Sequence, residues 1–142
     1  FMNYLTKEEN LRVWVTFSLD YEENFACARA AIGCLAMAVP DSNFARALVL
    51  CSNFDELIRT LLECGQLELM HRVLALIVGL IEHGGKCRAA VSATGAGPFC
   101  RAYLTSYSDE KKTMKDFNFS PADRGSLAAT LGLATEVAQI LS

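Results

Sequence analysis

The sequence predicts an all-α fold, an armadillo- or HEAT-like right-handed α-solenoid of about two and two-thirds repeats. Apolar residues recur at helical spacing through 68–82, and they cover so much of the circumference that this helix must be buried on nearly all sides. An arginine, Arg72, lies near its start, and comparable positions hold Arg29, 43 residues earlier, and Arg124, 52 residues later. The first spacing lies in the roughly 40–47-residue range of such repeats, and the second fits if a loop of about nine residues is inserted.

The predicted helix lengths repeat in the order short, medium, long, which is the order of the armadillo unit. In chain order, the predicted helices are 7–18, 24–39, 42–51, 54–64, 67–82, 86–94, 98–107 and 121–141. They group into a partial repeat at 7–39, a repeat at 42–82 and a repeat at 86–141 that contains the polar insertion 108–119. We therefore expect residues 1–142 to form a single armadillo-like domain, cut from a longer protein.

The ends of several helices carry residues that favour them. Thr6 and Glu9 have the spacing of a capping box for the first helix. Asn53 is placed to cap the fourth helix, and Pro98 suits the first position of the seventh. The side chains expected to face inward from the first helix are Leu11, Trp14, Val15 and Phe17.

The composition limits the classes of function that the protein can have. With 52% hydrophobic and 20% charged residues, the 142-residue chain should form a packed globule. Its net charge is −3, and Lys111, Lys112 and Lys115 alternate with acidic residues, so no basic field exists for nucleic acid. The longest strongly apolar run, Val73–Ile81, is far shorter than the ~20 residues that cross a bilayer, and no signal peptide opens the chain. We expect a cytoplasmic protein with no membrane partner.

The cysteines and histidines give little indication of catalysis or metal binding. The six cysteines show no CxxC pair and no metal-ligand spacing, so we expect reduced, buried small hydrophobes. His71 could act as a base, but a helical histidine beside an apolar face is more often a hydrogen-bonded structural residue. The sequence at 84–87, GGKC, resembles the end of a phosphate-binding loop but lacks its first glycine and its final serine or threonine, so it indicates a helix stop. We expect a non-enzymatic protein without cofactor or metal.

The recurring arginines allow two interpretations. An arginine at the start of a long helix can hydrogen-bond to carbonyls or carboxylates of the adjacent repeat, which is a structural role. Alternatively, the arginines form a ladder along the groove that the long helices line, suited to an extended acidic or polar segment of a partner. The candidate partner-binding residues are Asn24, Arg29, Gln66, Glu68, His71, Arg72 and Arg124.

Three segments carry a family resemblance: LRVWV at 11–15, AAIGCLAM at 30–37, and ELMHR at 68–72 before an apolar helix. They are similar to the C-terminal armadillo repeats of the UCS domain, the myosin-chaperone domain of the UNC-45 family. The insertion at 108–119 and the glycine-rich turn at 95–97 depart from that pattern. The resemblance implies a co-chaperone that binds the myosin motor domain and helps it fold or stay folded. It also implies that Hsp90 is recruited through a part of the parent protein outside this chain.

A second function stays open beside this one. An armadillo repeat can equally serve as a general adaptor or scaffold that binds an extended peptide of another partner. The arginine ladder is the only sequence feature that favours the adaptor, whereas the three similar segments favour the chaperone.

Overall fold

The protein is described by a computed structural model that gives the backbone of residues 6–111 and 121–141 and the side chains of 6–106 and 127–141. Every regular element in these residues is a helix, and none of them belongs to a β-strand, so the all-α prediction is confirmed. The eight helices are α1 (Glu8–Leu19), α2 (Phe25–Ala38), α3 (Ser42–Leu50), α4 (Phe54–Glu63), α5 (Leu67–Glu82), α6 (Gly85–Ala93), α7 (Ala96–Lys111) and α8 (Pro121–Ile140).

The helices pack in three rows. In the long row, α2 packs on α5 and α5 on α8; in the middle row, α1 packs on α4 and α4 on α7; in the short row, α3 packs on α6. Neighbours in the sequence also pack together, as α1 with α2 and α7 with α8 do. This arrangement is compatible with an α-solenoid, in which each unit buries its apolar faces only on the units beside it.

Helix α5 is the centre of the core. It packs against α2, α4, α6 and α8, and it is covered on nearly all sides, as its composition predicted. Each of its large side chains contributes about 1.5–3 kcal/mol when fully buried. Its most deeply buried side chains are Leu69, Val73, Leu74, Leu76, Ile77 and Leu80.

Most helix bounds agree with the sequence prediction to within two residues, and α7 is the exception. It begins at Ala96 and continues to Lys111, so Pro98 is its third residue and not its first. A proline is accepted there because the N–H groups of a first helical turn have no partner within the helix. Residues 108–111 belong to this helix, so the predicted insertion begins later, and its remainder lies outside the described residues.

One predicted cap is shifted and one is wrong. The N-cap of α1 is Lys7, whose side chain makes no capping bond, so the helix begins one residue later than the predicted capping box of Thr6 and Glu9 requires. Asn53 is the N-cap of α4, but its side-chain oxygen accepts a hydrogen bond from the thiol of Cys51 at 2.9 Å and caps no amide. A local side-chain contact has therefore replaced the expected cap.

The inward face of α1 also differs from the prediction. Leu11 and Val15 are fully buried, but the next inward position is Ser18, whose hydroxyl donates to the carbonyl of Trp14 at 3.0 Å. Phe17 is exposed because it lies about 100° around the helix from Ser18. Its ring and that of Trp14 form a T-shaped contact, with 6.4 Å between the ring centroids.

All six cysteines are free thiols. Cys51, Cys87 and Cys100 are buried, as predicted, whereas the other three are half-buried. Burial raises the pKa of the Cys100 thiol to about 11 and also raises the pKa of Cys87. These thiols are therefore neutral near pH 7 and act as apolar core residues.

No helix within residues 6–111 and 121–141 has both the length and the apolar character needed to cross a bilayer.

Candidate functional site

Six of the seven candidate partner-binding residues lie at the starts of α2 and α5, which are neighbours in the long row. Three of them contact one another: Arg29, Glu68 and Arg72, called here the helix-start cluster. The 43-residue offset between the two arginines brings them together because α2 and α5 lie side by side with their starts at the same end.

Arg29 and Glu68 form an ion pair between the two helices. The Nη1 atom of Arg29 donates to Oε2 of Glu68 at 3.1 Å, and the side chains are 44% and 50% exposed. A pair this accessible to water contributes about 0–1 kcal/mol to stability. Both side chains can therefore exchange this contact for one with a partner at little cost to the fold.

Arg72 makes a more buried contact. Its Nη1 atom donates to the backbone carbonyl of Arg29 at 3.0 Å, in a part-buried position. The guanidinium lies over Gly33, where a Cβ atom would overlap Nη1. Because Gly33 has no side chain, the Arg72 side chain of α5 can reach the backbone of α2.

These contacts are the kind that the structural interpretation of the arginines requires. Arg29 pairs with a carboxylate, and Arg72 with a carbonyl, of the adjacent long helix. Arg124 lies in α8, but its side chain is outside the described residues, so the third position of the predicted ladder stays a prediction.

The remaining candidates surround the cluster. Asn24 is the N-cap of α2, and its side-chain oxygen accepts the N–H of Cys27 at 3.2 Å. Gln66 is the exposed N-cap of α5 and makes no capping bond with its side chain. His71 is half-buried and has no hydrogen-bond or ion-pair partner among the described residues.

A second surface feature is a cavity of about 220 Å³ where the start of α6 meets the start of α3. Arg46, His83 and Lys86 line it, and the thiol of Cys87 lies at its wall. The predicted helix stop is found before the GGKC segment, because α5 ends at Glu82. Within the segment, Gly84, with φ of 67°, is the N-cap of α6, and the next three residues form the first turn of that helix.

This cavity does not hold an activated cysteine. Burial raises the pKa of the Cys87 thiol, and the nearby guanidinium of Arg46 offsets only part of that rise. The Nε2 atom of His83 is hydrogen-bonded to the carbonyl of Val39 at 2.6 Å. A nucleophilic pair needs a thiolate, and burial disfavours the thiolate of Cys87. Within the described residues, no three His, Cys, Asp or Glu side chains are grouped to hold a metal ion.

Comparison of the chain with protein-family models, with curated proteins and with solved structures gave no match. Any functional inference therefore depends on the chain's own residues.

Two contacts between α2 and α5 were not predicted. Gly79 packs directly against Val39, and His83 hydrogen-bonds to the carbonyl of the same valine. A glycine within an otherwise apolar helix is the one signal that could have indicated the first contact, because glycine in a helix costs about 1 kcal/mol and usually has a packing reason.

Replacing Arg72 with alanine should lower the free energy of unfolding by about 1.5–3 kcal/mol, because a part-buried hydrogen bond from a charged donor is lost. The matched control is Arg59→Ala, which removes an exposed ion pair with Asp55 inside α4 and should cost at most about 0.5 kcal/mol. Urea unfolding followed by circular dichroism measures both. If both variants lose the same free energy of unfolding, the Arg72 hydrogen bond contributes no more to stability than an exposed ion pair.

Proposed function

We propose that the chain is a non-enzymatic, armadillo-like right-handed α-solenoid of about two and two-thirds repeats that functions by binding protein. The observation that carries this proposal is the packing of α2, α5 and α8 as successive members of one row, with matching rows of shorter helices beside it. The starts of α3 and α6, Ser42 and Gly85, repeat the 43-residue offset of Arg29 and Arg72. Equivalent helices at equivalent offsets are what a stacked repeat requires.

The accessible surface supports a binding role. The helix-start cluster presents half-exposed charges of both signs, and large apolar side chains are exposed on α1, α2 and α3. A surface that combines apolar area with polar groups suits a protein partner, since the apolar area provides affinity and the polar groups limit unspecific binding.

The partner that we propose is the myosin motor domain, on the strength of the UCS-like segments at 11–15, 30–37 and 68–72. In this proposal the chain belongs to a cytoplasmic co-chaperone that holds a partly folded motor domain through the starts and exposed faces of α2 and α5. Hsp90 would be recruited by another part of the parent protein.

Thermal aggregation of a purified myosin motor domain, followed by light scattering, tests this function. We expect the chain to reduce aggregation and to be captured with the motor domain in a pull-down. The double variant Arg29→Ala/Glu68→Ala should protect less well than the wild type while unfolding at nearly the same temperature. The matched control is Asp55→Ala/Arg59→Ala, which removes a comparably exposed ion pair on α4 and should protect fully. Absence of binding and of protection, even by a protein with the parent's whole solenoid, would refute the myosin proposal.

The general adaptor is the second candidate, favoured by the half-exposed guanidinium of Arg29. A carboxylate of an extended peptide could take the place of Glu68 on that guanidinium. In that case the wild type and the Arg59→Ala variant should bind an acidic peptide, and the Arg29→Ala variant should not. None of these proteins would protect heated myosin from aggregation.

A further inference from the structure

The cavity where the start of α6 meets the start of α3 is lined by basic side chains. Arg46 from α3, Lys86 from α6 and His83 line it, and the remaining lining residues are serine, glycine and cysteine. Within the described residues, no carboxylate lines the cavity, and neither Arg46 nor Lys86 forms an ion pair. Asp41 and Glu82 are near in the sequence, but neither lines the cavity, and the carboxylate of Asp41 instead caps α3. The cavity therefore holds positive charge that the described part of the chain does not neutralise.

Arg46 has hydrogen-bond donors available for this cavity. Its Nη2 atom donates to Oδ1 of Asn43 on the same helix at 3.1 Å, which leaves other N–H groups of the guanidinium free to bind a ligand. The guanidinium is also close to the Cys87 thiol in the cavity wall, since burial raises the pKa of that thiol and Arg46 lowers it in part. Arg46 thus extends from α3 toward α6, where Lys86 supplies a second positive charge.

The first turn of α6 adds backbone N–H groups to the cavity. The first N–H groups of an α-helix have no partner within the helix, and in α6 they belong to Gly85, Lys86 and Cys87, which all line the cavity. The N-cap, Gly84, has no side chain to accept them, and no acidic residue lies in this turn. Each of α1 to α5 instead has a capping side chain or an acidic residue at its start. The positive end of the α6 dipole therefore adds to the charge of the two cations.

We propose that this cavity binds a phosphate group, either as inorganic phosphate or as the phosphorylated side chain of a partner protein. Its volume of about 220 Å³ is below the ~300–1,000 Å³ of sites that enclose a drug-sized ligand, so it suits one small group. A phosphate group carries about −1.5 to −2 charges and three acceptor oxygens, which match a guanidinium, an ammonium and backbone N–H groups together. A carboxylate carries a single charge and fewer oxygens, so it would use fewer of these donors.

The cavity is separate from the helix-start cluster. It lies beside the ends of α2 and α5, where His83 is hydrogen-bonded to the carbonyl of Val39, whereas Arg29, Glu68 and Arg72 lie at the starts of those helices. Because α5 has 16 residues, it is about 24 Å long and keeps the two sites apart. Phosphate binding at the cavity therefore does not depend on which client the helix-start cluster binds.

Titration of the whole isotope-labelled chain with sodium phosphate, followed by NMR at constant pH and ionic strength, tests the proposal. The backbone amide signals of the first turn of α6 should shift and reach saturation. The double variant Arg46→Ala/Lys86→Ala should bind phosphate at least about tenfold more weakly, because two charge-assisted contacts are lost. The matched control, Lys7→Ala/Arg12→Ala, makes the same change in net charge at exposed positions near the start of α1 and should bind like the wild type.

Two short peptides that differ only in a central serine or phosphoserine identify the source of the phosphate group. Tighter binding of the phosphoserine peptide than of inorganic phosphate assigns the site to a partner protein, and equal or weaker binding assigns it to free phosphate. Shifts that rise without saturation overturn the proposal, as do equal weakening by the control variant and equally tight binding of acetate or of the serine peptide. Thermal unfolding shows whether the variants keep the fold, which we expect because all four substituted residues are exposed. If the double variant at the cavity fails to fold, Lys86→Gln alone provides the same comparison.

Discussion

Truncating Leu76 to alanine should lower the free energy of unfolding by about 3 kcal/mol, the largest effect that we expect from one substitution in this chain. Leu76 is fully buried on α5, the helix that packs against four others. Its neighbours are themselves fixed in the core and can collapse only partly into the space left behind. The cost therefore includes the residual cavity as well as the lost transfer of the side chain out of water.

The matched control for this truncation is Leu50→Ala. It removes the same atoms from a side chain that is 78% exposed on α3, so the free energy of unfolding should change by no more than about 0.5 kcal/mol. Urea unfolding of dilute protein, with equal slopes for both variants, gives the comparison. Losses of similar size for the two leucines would mean that α5 is not the centre of the core.

Replacing Gly79 with alanine should also destabilise the chain, by up to about 2 kcal/mol, although alanine is the better helix former. A Cβ atom at this position would overlap Cγ1 of Val39, a buried, β-branched side chain with little rotational freedom. Separating α2 from α5 to make room costs about 1–3 kcal/mol, which outweighs the gain of about 1 kcal/mol in helix propensity.

The same substitution at Gly132 on α8 should raise the stability of the chain. A Cβ atom there meets no atom of the described residues within 4 Å, and the glycine is exposed, so the variant should be more stable by about 0.5–1 kcal/mol. Thermal unfolding of both variants measures the difference in sign. The double variant Gly79→Ala/Val39→Ala should lose less stability than the sum of the two single variants, whereas additive effects would show that the two residues do not meet.

The sequence was sufficient to predict the all-α fold and most of the helix bounds. The bounds of α5 were predicted to the residue, because a nearly continuous apolar run ends at a pair of glycines. Side-chain direction was harder to predict. Phe17 was expected inside, but one residue of helical rotation gives the inward position to Ser18, and only the neighbouring helices decide which of the two is covered.

For the candidate site, the bonds of Arg29 and Arg72 agree with one of the two interpretations that the repeat spacing allowed, contact with the adjacent long helix, whereas the position of Arg124 stays a prediction. It could not indicate which atoms they contact, because that depends on the rotation of each helix about its axis. The contacts of Gly79 and His83 with Val39 were not predicted because they too depend on how each helix is rotated. Val39 is far away in the sequence, 44 residues before His83.

The bonds of Arg72 and His83 have a mechanical consequence. Arg72 ties the beginning of α5 to the beginning of α2, and His83 ties the end of α5 to the end of α2, in both cases through a backbone oxygen. Two helices that are bonded to each other at both ends resist sliding and separation, so α2 and α5 should move as one rigid unit. If the protein flexes while it holds another molecule, the bend must fall at some other junction.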